Sequence, residues 1–300
     1  MRNKAIIFDL DGTAVDSPAH NLPSERLVAA VAALQKGYWM CAATGRGWSY
    51  GKDVWQALKL TDPCVIAAGT QICNPVTGEI LWQKNMEPDD AKKVIKIFRQ
   101  YPEVAMLCND YTLEDYLSKN FKVKDYVFPQ EVFFLELVDL PEQEARRIAE
   151  EIRKIKGVTC IAPVGQHNKN HRDIHVVNAG ATKEQAIAEL LKMIGVARED
   201  TIGVGDAAND FDLFEAVGTK VAMGNAVAEP AVPLSYAFTG RERDAATGLM
   251  YYRARYYYTM TGRFMGRDPL ASAAFGSAPS RDHLSSPANL NVYVYASDSP

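Results

Sequence analysis

Three hundred residues, 47% of them hydrophobic, are enough for a sizeable core and, by length, for about two domains. No apolar run approaches the ~20 residues of a spanning helix, and Asp9 and Asp11 fall where a secretory leader would need its apolar stretch, so no membrane partner is expected. A net charge of −4 speaks against general nucleic-acid binding, and five cysteines, odd in number and without a paired motif, suggest neither disulfides nor zinc and fit a reducing cytoplasm.

The chain opens on Ala5–Phe8, a continuous apolar run of the kind shown by a strand covered on both faces. It stops at Asp9-Leu10-Asp11-Gly12-Thr13, and in open α/β sheets ligands bind just past the carboxyl ends of such strands. Two acids so close repel unless something positive lies beside them. Mg²⁺ would relieve this, since it takes hard oxygen ligands and shares them with phosphate; one carboxylate is then free to attack phosphorus and the other to handle protons. An Asp-rich turn capping the next helix is the plainer alternative.

Residues 23–34 repeat apolar side chains at helical spacing, with Gly37 as the stop, and residues 39–43 form a second buried strand that ends at Thr44-Gly45-Arg46. Residues 54–58 continue a second helix and residues 64–68 form a third buried strand. Strand, helix, strand, helix, strand predicts an α/β fold with a doubly wound parallel sheet. No glycine-rich dinucleotide turn follows the first strand.

From residue 84 the pattern changes to a helix over 88–101, strands over 104–107 and 132–137, a helix over 141–156 and strands over 158–162 and 173–177. That is a separate α+β layer inserted into the sheet protein. His167, His171 and His175 are spaced by four, but loop-like residues around the first two and a strand at the third do not place their rings on one face, so no metal role is expected. The sheet resumes after Thr182-Lys183-Glu184-Gln185, a capping box that holds Lys183 in the first turn of a helix. Residues 202–205 form a strand that ends at Asp206-Ala207-Ala208-Asn209-Asp210, and residues 221–223 form another.

These four segments, in this order, resemble the motifs of the haloacid dehalogenase superfamily, and the long insert between the second and third resembles the large cap of its Cof-type (class IIB) sugar-phosphatase branch. The resemblance implies that Asp9 is a nucleophile forming an aspartyl-phosphate, and that Asp11 protonates the leaving alcohol and then activates water. Thr44, Gly45 and Lys183 would hold the phosphoryl group. Asp9, the Asp11 carbonyl and Asp206 would ligate Mg²⁺, with Arg46, Asn209 and Asp210 in support. Two positions depart from the pattern: Glu184 stands where a glycine often follows the lysine, and His175 stands where the branch often has an acid.

The carboxyl-terminal part differs. Residues 238–257, then Gly262-Arg263-Phe264 and Asp268-Pro269, resemble the core motif of rearrangement-hotspot (YD-repeat) proteins, and residues 289–300 its later part. Residues 234–300 hold seven Arg, no Lys and five acids, and eight of the fourteen tyrosines follow residue 230, which marks this segment as compositionally foreign. Residues 234–239 have strand composition and arrive where the family would add its next strand. Residues 271–286 read as a flexible loop.

The expected organisation is a hydrolase core at 1–83 and 179–233, an α+β cap at 84–178 and a β-prone, partly irregular tail at 234–300. The expected activity is Mg²⁺-dependent hydrolysis of a small phosphorylated metabolite, a sugar phosphate or similar, with no nucleic-acid or membrane partner. A phosphomutase of the same fold, a phospho-accepting signalling domain and a non-catalytic fusion are the alternatives. Free phosphate released without a bisphosphate activator separates hydrolysis from mutation.

Overall fold

The computed structural model describes residues 2–16, 22–165, 168, 170–206 and 210–223, and beyond these the backbone of five short strands. The elements of the first part are β1 (Ala5–Phe8), α1 (Glu25–Leu34), β2 (Trp39–Ala42), α2 (Trp48–Leu58), β3 (Cys64–Ile66), β4 (Gln71–Cys73) and β5 (Ile80–Gln83). The insert holds α3 (Pro88–Phe98), β6 (Ala105–Cys108), α4 (Leu113–Ser118), β7 (Phe134–Pro141), α5 (Glu142–Ile152), β8 (Val158–Ile161) and β9 (His171–Asn178). The chain returns through α6 (Lys183–Ile194), β10 (Thr201–Gly205), α7 (Phe211–Ala216) and β11 (Thr219–Ala222), followed by β12 (Tyr236–Ala237), β13 (Arg241–Arg243), β14 (Met250–Tyr251), β15 (Tyr256–Tyr258) and β16 (Arg263–Phe264).

β1 lies between β10 and β2, all parallel, with Ile7 opposite both Gly203 and Cys41, and β11 continues the sheet beyond β10. Alternation sends Ile7, Cys41 and Ala43 into one core with Ile187 and Leu190 of α6 and Leu213 of α7. Phe8, Met40 and Ala42 go into the other with Val31 of α1 and Val54 and Trp55 of α2. Helices on both faces make the doubly wound sheet, and its β1, β2 and β10 strand ends carry the motif residues to one edge. No helix among the described residues is long and apolar enough to cross a membrane.

The third strand differs from the expectation. β3 touches the main sheet through one parallel bridge, Ala43 opposite Val65, and its regular partner is β4, antiparallel, in a small sheet ordered β3-β4-β5. The turn between β4 and β5 is built by Asn74, whose Oδ1 accepts from the Val76 and Thr77 amides, and by Gly78 at φ 77°.

In the insert, the antiparallel sheet β6-β7-β9-β8 buries Leu135, Leu137, Ile174 and Val176 against α3 and α5. Helix α4 was not expected; a capping box between Thr112 and Asp115 starts it. Phe133, Phe134 and Val177 of the insert share a core with Val54 and Trp55 of α2, so the two parts pack directly.

β12 pairs parallel to β11, Val221 opposite Tyr236, where the sequence places a substitute for the family's next strand. β13 to β16 then extend the sheet as an antiparallel meander. The remaining residues of the YD-repeat-like stretch lie outside those described. The β11–β12 bridge covers an edge that would otherwise be open. A chain truncated after Gly240 should therefore melt several degrees above one truncated after Ala228, a shift typical of about 1 kcal/mol or more; equal melting curves would remove β12 from the core.

Candidate active site

The site is assembled at the ends of three parallel strands. At the end of β1 the Asp9 amide still bonds the Val204 carbonyl (2.9 Å), so the carboxylate is fixed in direction and buried. The chain then turns sharply: the amides of Ala14 and Val15 bond the Leu10 carbonyl, and Gly12 adopts φ +84°. A Cβ at Gly12 would lie 2.1 Å from Asp206 Oδ2, so both the conformation and the close approach require glycine. Thr13 Oγ1 donates to Asp206 Oδ1 (2.8 Å), which clamps this loop onto the end of β10.

At the end of β2, Thr44 is fully buried and its Oγ1 accepts from the Arg46 amide (3.2 Å). Gly45 follows with open space where a side chain would be. Arg46, itself buried, donates through Nε to Asp11 Oδ2 (2.9 Å) and through Nη2 to Asp11 Oδ1 (2.5 Å), a two-pronged grip on the second carboxylate.

Helix α6 supplies the cation. Thr182 caps it by accepting from the Gln185 amide (3.3 Å), the forward half of the expected box. Gly69, at φ +93°, packs so closely on the Thr182–Lys183 peptide that a Cβ there would lie 2.7 Å from the Lys183 nitrogen. Lys183 Nζ donates to Asp9 Oδ1 and to Asp210 Oδ1, both at 2.8 Å, with all three groups buried. Asp210 Oδ2 accepts from the Asp206 amide (3.0 Å).

Two buried carboxylates thus share one ammonium. Burial pushes the Asp9 carboxyl up, Lys183 pulls it back, Asp210 adds to the rise, and the result is about 7. Lys183 is held above its ordinary value because Asp9 and Asp210 outweigh its burial. Asp206 is raised as well, chiefly by burial and against the Thr13 bond. The cluster carries surplus negative charge that one lysine does not neutralise. Asp9, Asp206 and Asp210 each bring a carboxylate oxygen within 4.8 Å of the others, an all-oxygen donor set suited to a hard divalent cation.

The sequence-derived residues Asp9, Asp11, Thr44, Gly45, Arg46, Lys183, Asp206 and Asp210 therefore gather at one sheet edge; Asn209 lies outside the described residues. Asp210 enters the carboxylate cluster directly, while the Asp11 carboxylate turns to Arg46. Glu184 is exposed.

A second polar cluster, beneath the sheet of the insert, was not foreseen as a unit. Glu136 accepts from Tyr111 (2.6 Å) and pairs with His175 Nε2 (3.1 Å), and Asp173 accepts from Tyr116 and from the Asp139 amide, both at 2.7 Å. His171 and His175 share one face of β9, contrary to the expectation from spacing, because the strand begins at His171; His171 pairs with Asp139 instead (2.8 Å). His167 lies outside the described residues. Burial opposes charge on His175, but Glu136 and Asp173 outweigh it and raise the imidazole above its ordinary value. A raised histidine contributes stability that is full below its unfolded value of about 6.5 and is lost as pH rises through the folded one. The melting advantage of the native chain over His175→Gln should therefore be largest near pH 6 and shrink as pH rises above about 6.5 through the raised folded value; a constant difference would mean that the ring acts by packing alone.

Residues 6–232 match the family model of haloacid dehalogenase-like hydrolases, and the chain belongs to that family. It is similar to 5-amino-6-(5-phospho-D-ribitylamino)uracil phosphatase YcsE of Bacillus subtilis, 26% identical over 228 residues that cover 74% of this chain and 84% of that protein. It is similar also to pyridoxal phosphate phosphatase YbhA of Escherichia coli, 24% identical over 245 residues that cover 75% and 89%. Among solved structures, a haloacid dehalogenase-like hydrolase from Bacteroides thetaiotaomicron superposes with a TM-score of 0.59 at 22% identity, covering 74% of this chain and 89% of that one. A sugar phosphatase of subclass IIB superposes with 0.58 at 20% identity, covering 74% and 88%. These two show a shared fold.

Proposed function

We propose that this hydrolase is an Mg²⁺-dependent phosphatase of small phosphorylated metabolites, sugar phosphates or similar, working through an aspartyl-phosphate at Asp9. The observation that carries the reading is the buried Asp9–Lys183–Asp210 set joined to Asp206, with Asp11 alongside on its own cation. Relatives whose names state phosphatase activity on phosphorylated small molecules support it.

An Asp9 oxygen attacks phosphorus as the bond to the leaving alcohol breaks, and Asp11 gives that alcohol its proton. In the second step Asp11 takes a proton from water, the water oxygen attacks phosphorus, and the bond to Asp9 breaks. Asp11 thereby recovers the proton that it gave, and phosphate leaves. Lys183 holds Asp9 in line and, with Thr44 and the Gly45 backbone, receives the phosphoryl oxygens, so catalysis rests on alignment and positive charge around a loose transition state. Asp9, Asp206 and the Asp11 carbonyl, backed by Asp210 and Asn209, would hold Mg²⁺, which neutralises charge developing on the transferred group. In this reading residues 84–178 form a cap that closes the site from water and selects the leaving group.

The test is phosphate release from a panel of phosphorylated metabolites with and without Mg²⁺. Release from at least one alkyl phosphate that stops on chelation is expected; no release from any member, or release indifferent to chelation, would contradict the reading.

A further inference from the structure

Asp11 is held by one guanidinium, and that guanidinium lies against one ring that also meets the insert. Arg46, forked onto Asp11, has its guanidinium carbon 4.9 Å from the centre of the Tyr50 ring, on the first turn of α2. Tyr50 is buried, and two tyrosines of the insert pack on it: Tyr116, stacked at 6.0 Å and 17°, and Tyr111 at 5.9 Å and 36°. Neither is loose, because each phenol donates to a buried carboxylate of the insert's sheet, Glu136 or Asp173.

A separate contact meets the same turn of α2. The helix starts at Gly47, which has no side chain to cap it, and Asp110 of the insert does so instead, accepting from the Ser49 amide (3.1 Å) and the Ser49 hydroxyl (2.5 Å). A Cβ at Gly47 would lie 2.4 Å from Asp110 Oδ1, so the approach depends on glycine there.

We propose that Tyr50 is a positioning residue for the acid/base chemistry of Asp11, set in place by the docking of Tyr111, Tyr116 and Asp110 of the insert. The inference rests on the phosphatase reading and extends it. An arginine is long and rich in rotamers; a ring beside it restricts it, and through the fork it fixes where the Asp11 carboxyl lies, so that one Asp11 oxygen leaving the fork carries the proton to the leaving-group oxygen from a set position. Proton donation is then the event that docking of the insert governs. Alkyl alcohols need that proton to depart, whereas para-nitrophenolate leaves without it.

The experiment compares turnover of glycerol phosphate and para-nitrophenyl phosphate, with Mg²⁺, by the full chain and by Tyr50→Leu, Tyr50→Phe and Asp110→Ala. The alkyl-to-aryl ratio of kcat/KM, which reports the leaving-group step and not the shared hydrolysis of the aspartyl-phosphate, should fall about tenfold or more in Tyr50→Leu, in keeping with the cost of misplacing a proton donor. It should fall less, but in the same direction, in Asp110→Ala, an exposed position that does not threaten folding, and it should recover in Tyr50→Phe, which keeps the ring. A ratio unchanged in both Tyr50→Leu and Asp110→Ala, however far both rates drop, would show that these contacts are merely structural and overturn the proposal. Should the native chain turn over neither these substrates nor any member of the metabolite panel, the phosphatase reading itself falls, and the positioning role with it.

Discussion

Asp9→Asn should lower phosphate release on the order of 10⁴-fold or more while leaving the fold intact, a loss in the range seen when a nucleophile is removed. The amide matches the carboxylate in shape, and its oxygen can still accept from Lys183, which now donates to Asp9 Oδ1 at 2.8 Å. What it lacks is nucleophilicity and charge for a cation. The environment also makes a prediction about stability. Burial first, and Asp210 after it, hold the Asp9 carboxyl up at about 7 against the pull of Lys183, so folding favours its neutral form. A neutral amide relieves that cost, and Asp9→Asn without Mg²⁺ should melt no lower than the native chain near pH 8. Near-native turnover would remove Asp9 from the nucleophile's role; a large drop in melting temperature would mean that the charge, not the shape, organises this edge of the sheet.

Lys183→Met should have the second large effect, on stability as well as activity. Its ammonium is the cation shared by Asp9 and Asp210, and all three groups are buried. Removing one partner of a buried charge set typically costs about 3–5 kcal/mol, because the acids left behind lose both solvent and counter-charge. Melting curves with and without Mg²⁺ separate this from lost packing. Added Mg²⁺ should raise the melting temperature of Lys183→Met more than that of the native chain, since a divalent ion among the same oxygens replaces the missing positive charge. Equal gains would show that ion and ammonium do not share those carboxylates.

The parts of the site that were legible in the sequence are those fixed locally. Asp9, Thr44 and Asp206 each follow a short apolar run of the kind a buried strand shows, and Lys183 follows a capping threonine, so strand–helix alternation brings them to one edge. The fold of β3 was not legible, because an apolar run of three or four residues looks the same whether its neighbour runs parallel or antiparallel. The turn signal in Asn74-Pro75 and Gly78 would have revealed the hairpin. Helix α4 spans six residues, too few for periodicity to register, although its capping box stands in the sequence. The contacts between core and insert had no local signal at all. Ser49 meets Asp110 across 61 positions, which depends on how α2 packs on the insert. Within the insert, His175 meets Glu136 across 39 positions because β7 and β9 pair in register, and no window of sequence contains that either.

The most direct measurement is the identity of the phosphorylated residue during turnover. The chain is mixed with a turned-over phosphate ester and Mg²⁺, quenched in acid within one catalytic cycle, digested and read by mass spectrometry. The account predicts a phosphoryl adduct on Asp9 that is absent from Asp9→Asn and from samples quenched without Mg²⁺. An adduct on any other residue, or full turnover with no phosphorylated protein at any quench time, would contradict it.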